Sequence, residues 1–166
     1  MLHIAKTCLL AMLLATVTAS ISRAEITNTN CGAPIQSSVA TGNELFETTS
    51  RSFVRVRGAI FFVTVPSGQT RCVKVRFTGG VTCKGNNGNE VCFIRALAAG
   101  QEMHPHAGGN QGLSGRLLRP TGLGYQWVTR LGEGQHVIQI QVRALDLPEP
   151  VTVGINDWTL DVEVLN

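Results

Sequence analysis

The chain has 166 residues, 43% of them hydrophobic, which is enough for one domain with a substantial core, and a formal net charge of +3. Two of the positive charges, Lys6 and Arg23, lie in the first 24 residues, whereas every acidic residue follows them. The remainder is close to neutral and carries no long apolar stretch, which argues against a nucleic-acid partner, an anionic membrane surface and a membrane span.

The first 24 residues predict a cleaved export signal. Lys6 precedes an apolar stretch at residues 8–17, and Ser22 and Ala24 supply small side chains at the positions that a signal peptidase reads. The apolar stretch is shorter than the roughly 20 residues that a bilayer span requires. We therefore expect a signal peptide at 1–24, which removes Cys8, with an earlier cut near Ala19 as the alternative. A single domain at 25–166 and a secreted or periplasmic location follow.

After a polar lead-in at residues 25–42, short runs alternate apolar and polar side chains, and each run ends at Gly, Pro or Asn. This period of two is typical of half-buried antiparallel strands. In the last run Trp158, Leu160, Val162 and Val164 share one predicted inward face. We expect an all-β, antiparallel sandwich or barrel, with strands at residues 53–57, 59–65, 72–77, 91–97, 124–131, 136–143, 151–155 and 158–165. Residues 44–49 could form a helical turn or a strand, and a strand is favoured.

Four cysteines remain after the signal, and in an exported chain they predict disulfides rather than a reduced nucleophile. Four cysteines permit three pairings. Cys83 and Cys92 flank a polar segment whose Asn-Gly steps suit a tight return, so a hairpin would bring them together. Cys31 then pairs with Cys72, which would tie the lead-in to the sheet.

The stretch 101–124 is predicted to be a large surface loop with a short strand around Leu117. It contains His104 and His106, whose spacing lets both imidazoles reach one metal ion if the segment is extended. A third ligand would have to come from elsewhere, such as His136 or Glu102. The spacing matches no complete zinc pattern, so we predict no metal site and no cofactor. Residues 86–90 could offer oxygen ligands to calcium, but a hairpin tip is the plainer interpretation.

Three further groups of side chains are candidates for binding or catalysis. Tyr125, Trp127 and Trp158 could form platforms for a sugar, although their strand positions favour core packing. Asp157, Asp161 and Glu163 could supply paired carboxylates for hydrolysis, although the last two face outward on their strand. Four basic residues alternate on the faces of two predicted strands and would form a basic stripe if those strands adjoin, namely Arg55, Arg57, Lys74 and Arg76.

The order of features along the chain resembles a group of small secreted bacterial proteins of unassigned function, whose layout is similar to jelly-roll sandwiches of the C1q and tumour-necrosis-factor kind. The resemblance rests on residues 65–75, 92–96, 127–128, 134–138 and 157–162 and covers most of the chain after the signal. It implies an all-β, antiparallel, jelly-roll-like β-sandwich, and it carries over no catalytic residue. The sequence has no collagen-like stalk, so trimeric assembly is not implied.

These patterns predict a non-enzymatic binding or assembly module. The alternative is a secreted carbohydrate-binding protein, and a hydrolase ranks third because no catalytic motif accompanies the fold. The ligand, whether protein or glycan, is not identified by the sequence, and a homo-oligomer remains open.

Overall fold

The computed structural model describes residues 31–85, 90–106, 112–114, 117–145 and 150–166, with the backbone alone described at 112–114 and 117–120. Within these ranges the chain forms strands and no helix, and therefore no helix with the length and hydropathy of a membrane span. The predicted signal at 1–24 and the segment 86–89 lie outside the described residues. The strands are β1 Pro34–Gly42, β2 Phe46–Thr48, β3 Val54–Val65, β4 Arg71–Lys84, β5 Val91–Ala98, β6 Gln101–Glu102, β7 Gly112–Ser114, β8 Leu117–Leu131, β9 Gly134–Leu145 and β10 Thr152–Leu165.

The strands form two antiparallel sheets that pack face to face, which confirms the predicted β-sandwich. Sheet I has the order β1-β10-β4-β8, and β2 also pairs with β10. Sheet II has the order β3-β9-β5-β6, and β7 also pairs with β5. From β3 to β5 and again from β8 to β10, each strand lies in the opposite sheet to the one before it. Most pairing is therefore between strands distant in sequence.

The core lies between the sheets and follows the predicted alternation. On β10, Trp158, Leu160, Val162 and Val164 are buried, as expected from their spacing. The facing layer on β9 contains Ile138, Ile140 and Val142, which are fully buried, while the residues between them are half-buried. Burying every second side chain removes apolar surface from water, and each Å² buried stabilises the fold by about 25 cal/mol. This burial is the main contribution that holds the two sheets together.

Several strands are longer than predicted because glycines do not end them. β3 continues past Gly58, where the backbone turns to φ 76° and the register with β9 shifts, so that Gly58 forms part of a bulge. β4 continues through Gly79 and Gly80. β10 joins the two predicted strands at 151–155 and 158–165. β8 begins at Leu117, so the second part of the predicted loop at 101–124 belongs to the sheet.

The structure joins Cys31 to Cys72 and Cys83 to Cys92, the pairing that the sequence analysis favours. The hairpin used to argue for the second bond is wrong, because β4 lies in sheet I and β5 lies in sheet II. The Cys83–Cys92 bond therefore links the two sheets, and both cysteines are fully buried. Cys31 precedes β1 and reaches Cys72 on β4 across the end of β10, which ties the start of the domain to sheet I.

Candidate binding cleft

A cleft of about 530 Å³ lies where β1 passes into β2 and faces the bulge of β3. A second cleft of about 390 Å³ adjoins it and shares Gly42, Asn43 and Trp158. The larger cleft thus sits between an edge of sheet I and an edge of sheet II. Its lining comprises Ala40, Thr41, Gly42, Asn43, Glu44, Leu45, Phe46, Glu47, Arg57, Gly58 and Trp158.

Trp158 forms the inner wall of this cleft and is held by glycines. Only 5% of its surface is exposed. A Cβ added at Gly42 would overlap the indole ring, one at Gly79 would lie 3.1 Å from the Cβ of Trp158, and one at Gly58 would lie 3.3 Å from its Cζ2. The ring also stacks on Phe77 with centroids 6.2 Å apart. Strand glycines are unfavourable in isolation, so their presence here reflects the space that the indole occupies.

Because the indole occupies the space that a Gly42 side chain would need, we expect Gly42→Ala to lower the free energy of unfolding by about 1–3 kcal/mol, as overpacking does. Gly122→Ala is the matched control, since Gly122 also lies in a strand and a Cβ there meets nothing within 4 Å. Urea unfolding followed by circular dichroism measures both. Equal urea midpoints for Gly42→Ala and Gly122→Ala would show that the indole does not occupy the space beside Gly42.

The rim of the cleft combines charge with exposed apolar surface. Glu44 lies 3.7 Å from Arg57, and Glu47 lies 3.7 Å from Lys84. Exposed ion pairs of this kind contribute about 0–1 kcal/mol to stability, so their side chains can rearrange around a partner at little cost. Leu45 is 63% exposed between them. The cleft therefore combines the apolar surfaces of Trp158 and Leu45 with polar and charged groups whose charges are mostly paired.

The two predicted strands do not adjoin, so the basic stripe does not form: Arg55 and Arg57 lie on sheet II, whereas Lys74 and Arg76 lie on sheet I. On the outer face of sheet I, β10 pairs with β4 so that each cation meets a carboxylate. Lys74 Nζ donates to Glu163 Oε2 at 2.8 Å, and Arg76 Nη1 lies 3.5 Å from Asp161 Oδ2. This face is a ladder of cross-strand ion pairs rather than a basic patch. The same pairing engages two of the carboxylates considered for hydrolysis.

The hydrogen bond from Lys74 lowers the pKa of Glu163 below its ordinary value of 4.5, with further help from the charges of Lys74 and Arg76. The unfolded chain then binds more protons than the folded chain in this pH range, so stability rises with pH. The contribution is complete above the ordinary pKa and is lost as pH falls through the lowered value. We expect Glu163→Gln to flatten the acid limb of the stability–pH curve, measured by urea midpoints at stepped pH. A limb as steep as in the parent protein would show that this pair does not contribute.

His104 and His106 lie close together, with ring centroids 3.8 Å apart. The ligands suggested to complete a site are engaged elsewhere. His136 Nε2 lies 2.8 Å from the carbonyl oxygen of Gly132, and Glu102 lies 3.6 Å from Arg95. Among the described residues no group of three His, Cys, Asp or Glu side chains is placed to hold a metal ion.

The aromatic residues considered as sugar platforms are mainly core residues. Trp127 is 1% exposed and packs on Tyr125, with ring centroids 5.7 Å apart. Tyr125 is half-buried, and burial raises the pKa of its phenol. Trp158 alone among the three lines a described cleft. Sequence reasoning singled it out as core and missed the cleft beside it, because the lining comes from segments distant in the chain.

No protein-family model matches this sequence, and no curated protein matches it.

Proposed function

We propose that this protein is an exported, non-enzymatic binding or assembly module built on a disulfide-bonded β-sandwich. The two disulfides support export, because such bonds persist in oxidising compartments outside the cytoplasm. The order of charge, apolar stretch and small residues in the first 24 residues supports a signal peptide and a secreted or periplasmic location.

The strand order supports a jelly roll of the C1q and tumour-necrosis-factor kind as the finer description of the sandwich. A jelly roll divides its strands between two sheets through Greek-key connections. Here the first and last strands are neighbours in sheet I, and the chain crosses between the sheets at most connections. In folds of this kind function lies in surface sites rather than in the scaffold itself.

The cleft beside Trp158 carries the proposal. Its volume of about 530 Å³ falls within the range of ligand sites, and its lining combines apolar and polar groups in about equal measure. Leu45 presents exposed apolar surface at its mouth. The charged groups around it pair with one another, as Glu44 does with Arg57, an arrangement that suits recognition of a neutral, partly apolar surface.

A photo-crosslinking amino acid at position 45 tests this proposal. Placed in the full-length protein and expressed in cells of its source, it should give an adduct of defined mass that mass spectrometry identifies. The matched control is position 62, since Phe62 is 59% exposed but lies on the outer face of sheet II. An adduct from position 45 alone supports the cleft. Equal adducts from both positions, or none from 45, would refute it.

A carbohydrate ligand is the second candidate, favoured by one observation. The indole of Trp158 lines the same cleft as Asn43 and Glu44, which offer hydrogen-bonding groups for sugar hydroxyls. Calorimetric titration with neutral oligosaccharides of glucose, mannose and N-acetylglucosamine decides between the candidates. Saturable binding that is lost in Asn43→Ala would establish the glycan alternative, whereas no saturable heat with any of the three would leave the protein-binding proposal in place.

A further inference from the structure

The two sheets have four edges, and three of them are protected against pairing with another chain. Along β8, the backbone of His104 pairs with Val128 through hydrogen bonds of 2.9 and 2.7 Å. On β3, the bulge at Gly58 and the exposed side chains of Arg55 and Arg57 interrupt the edge. The edge beyond β5 consists of β6 and β7, with two and three residues. Bulges, charges, covering segments and short strands are the devices by which proteins prevent edge association.

Within the described residues, the edge formed by β1 lacks charges and covering segments from Gln36 to Gly42, whereas Pro34 and a register shift at Ile35 mark its start. Its nine residues include no charged side chain. From Gln36 to Gly42 its register with β10 is continuous, after one irregularity at its start. Within the described residues its pairing partner is β10 alone, on one side. Val39 is 60% exposed and Ile35 is 53% exposed. β1 is thus a long, neutral edge with exposed β-branched side chains.

We propose that β1 pairs antiparallel with β1 of a second copy of this chain, so that sheet I continues across a two-fold axis. The charge pattern argues for a second copy as the occupant. The acidic residues next to β1, Asp161 and Glu163, are paired with Arg76 and Lys74. Two copies can therefore approach through this edge without repulsion between like charges, and a two-fold interface requires such a self-complementary surface.

A two-fold axis at Ser37 gives the pairing a defined register. It sets Val39 of one copy opposite Ile35 of the other, twice in each dimer. Cross-strand pairs of β-branched side chains stabilise antiparallel sheets. Main-chain hydrogen bonds along β1 would supply most of the affinity, as in other cases of strand addition. This inference rests on the assembly half of the proposed function, and the paired strand reaches Thr41, which also lines the cleft.

Light scattering on the oxidised protein at increasing concentration tests the proposal. The mass should approach twice that of the monomer. Val39→Lys should raise the dimer dissociation constant by at least about tenfold, because two added charges enter one interface. Phe62→Lys is the matched control and should leave the dimer intact. A parent protein that stays monomeric, or a dimer lost in Phe62→Lys and kept in Val39→Lys, would overturn the proposal.

A cysteine trap tests the register and separates this inference from the proposed function. Ser37→Cys should form a covalent dimer under mild oxidation, whereas Thr41→Cys on the same strand should not, because its partner would be residue 33 of the other copy. Dimers from Thr41→Cys alone would overturn the register. A protein that carries both Val39→Lys and the photo-crosslinking amino acid at position 45 separates the two proposals. If it still forms the adduct with the same partner, binding at the cleft is supported whether or not the dimer forms.

Discussion

Replacing Trp158 with alanine should lower the free energy of unfolding by about 3–5 kcal/mol, the usual cost of truncating a large aromatic side chain in a core. The indole is nearly fully buried, and strand glycines leave the space that it fills. Its loss would leave a cavity bounded by backbone, which cannot collapse readily. Since domains are stable by only about 5–15 kcal/mol, the variant should melt far below the parent protein.

Urea unfolding followed by circular dichroism measures this effect. Leu45→Ala is the matched control, because Leu45 lines the same cleft but is 63% exposed. Its effect should stay within about 0.5 kcal/mol, as surface substitutions generally do. Trp158→Phe should fall between the two. A Trp158→Ala variant that unfolds at the same urea concentration as Leu45→Ala would show that the indole does not support the core.

Removing the Cys31–Cys72 disulfide should cost about 4 kcal/mol and removing Cys83–Cys92 about 3 kcal/mol, on the chain-entropy relation between loop length and stability. The sequence separations are 41 and 9 residues, respectively, so the first bond restrains the unfolded chain more. The relation leaves out any effect of the core, where Cys83 and Cys92 are fully buried.

The test therefore compares two double variants. One combines Cys31→Ala with Cys72→Ala, and the other combines Cys83→Val with Cys92→Ala. Valine in the second pair fills most of the buried volume, so a cavity does not add to the measured loss. Urea midpoints of the two proteins give the order. A larger loss for the Cys83 and Cys92 variant would mean that the link between the sheets, rather than loop length, governs the stabilisation.

The elements that could be predicted from the sequence are those set by local alternation. The buried face of β10 follows from the period of two between Trp158 and Val164, because a strand places alternate side chains on one face. The core positions of β9 follow in the same way. The pairing of cysteines also agrees with the structure, although the hairpin that supported it does not exist.

The sequence does not determine which strands are neighbours in the two sheets. A polar segment between Cys83 and Cys92 has the same composition whether it returns within a sheet or crosses to the other sheet. Whether the four basic residues form one stripe depends on this, and they do not, since Arg55 and Lys74 lie on different sheets. The sequence alone does not show that β3 and β4 continue past Gly58 and Gly79, because the approach of Trp158 to these glycines depends on tertiary packing. The cleft itself joins parts of β1, β3 and β10 and has no local signature.

The central claim is an exported sandwich held by two defined disulfides, and non-reduced peptide mapping of protein recovered outside the cytoplasm tests it most directly. Lysine and arginine residues separate the four cysteines, so trypsin places each in its own peptide. We expect an N-terminus at Glu25, one crosslinked pair containing Cys31 and Cys72, and another containing Cys83 and Cys92. A chain retained in the cytoplasm with four free thiols, or a peptide that joins Cys72 to Cys83 or Cys92, would contradict it.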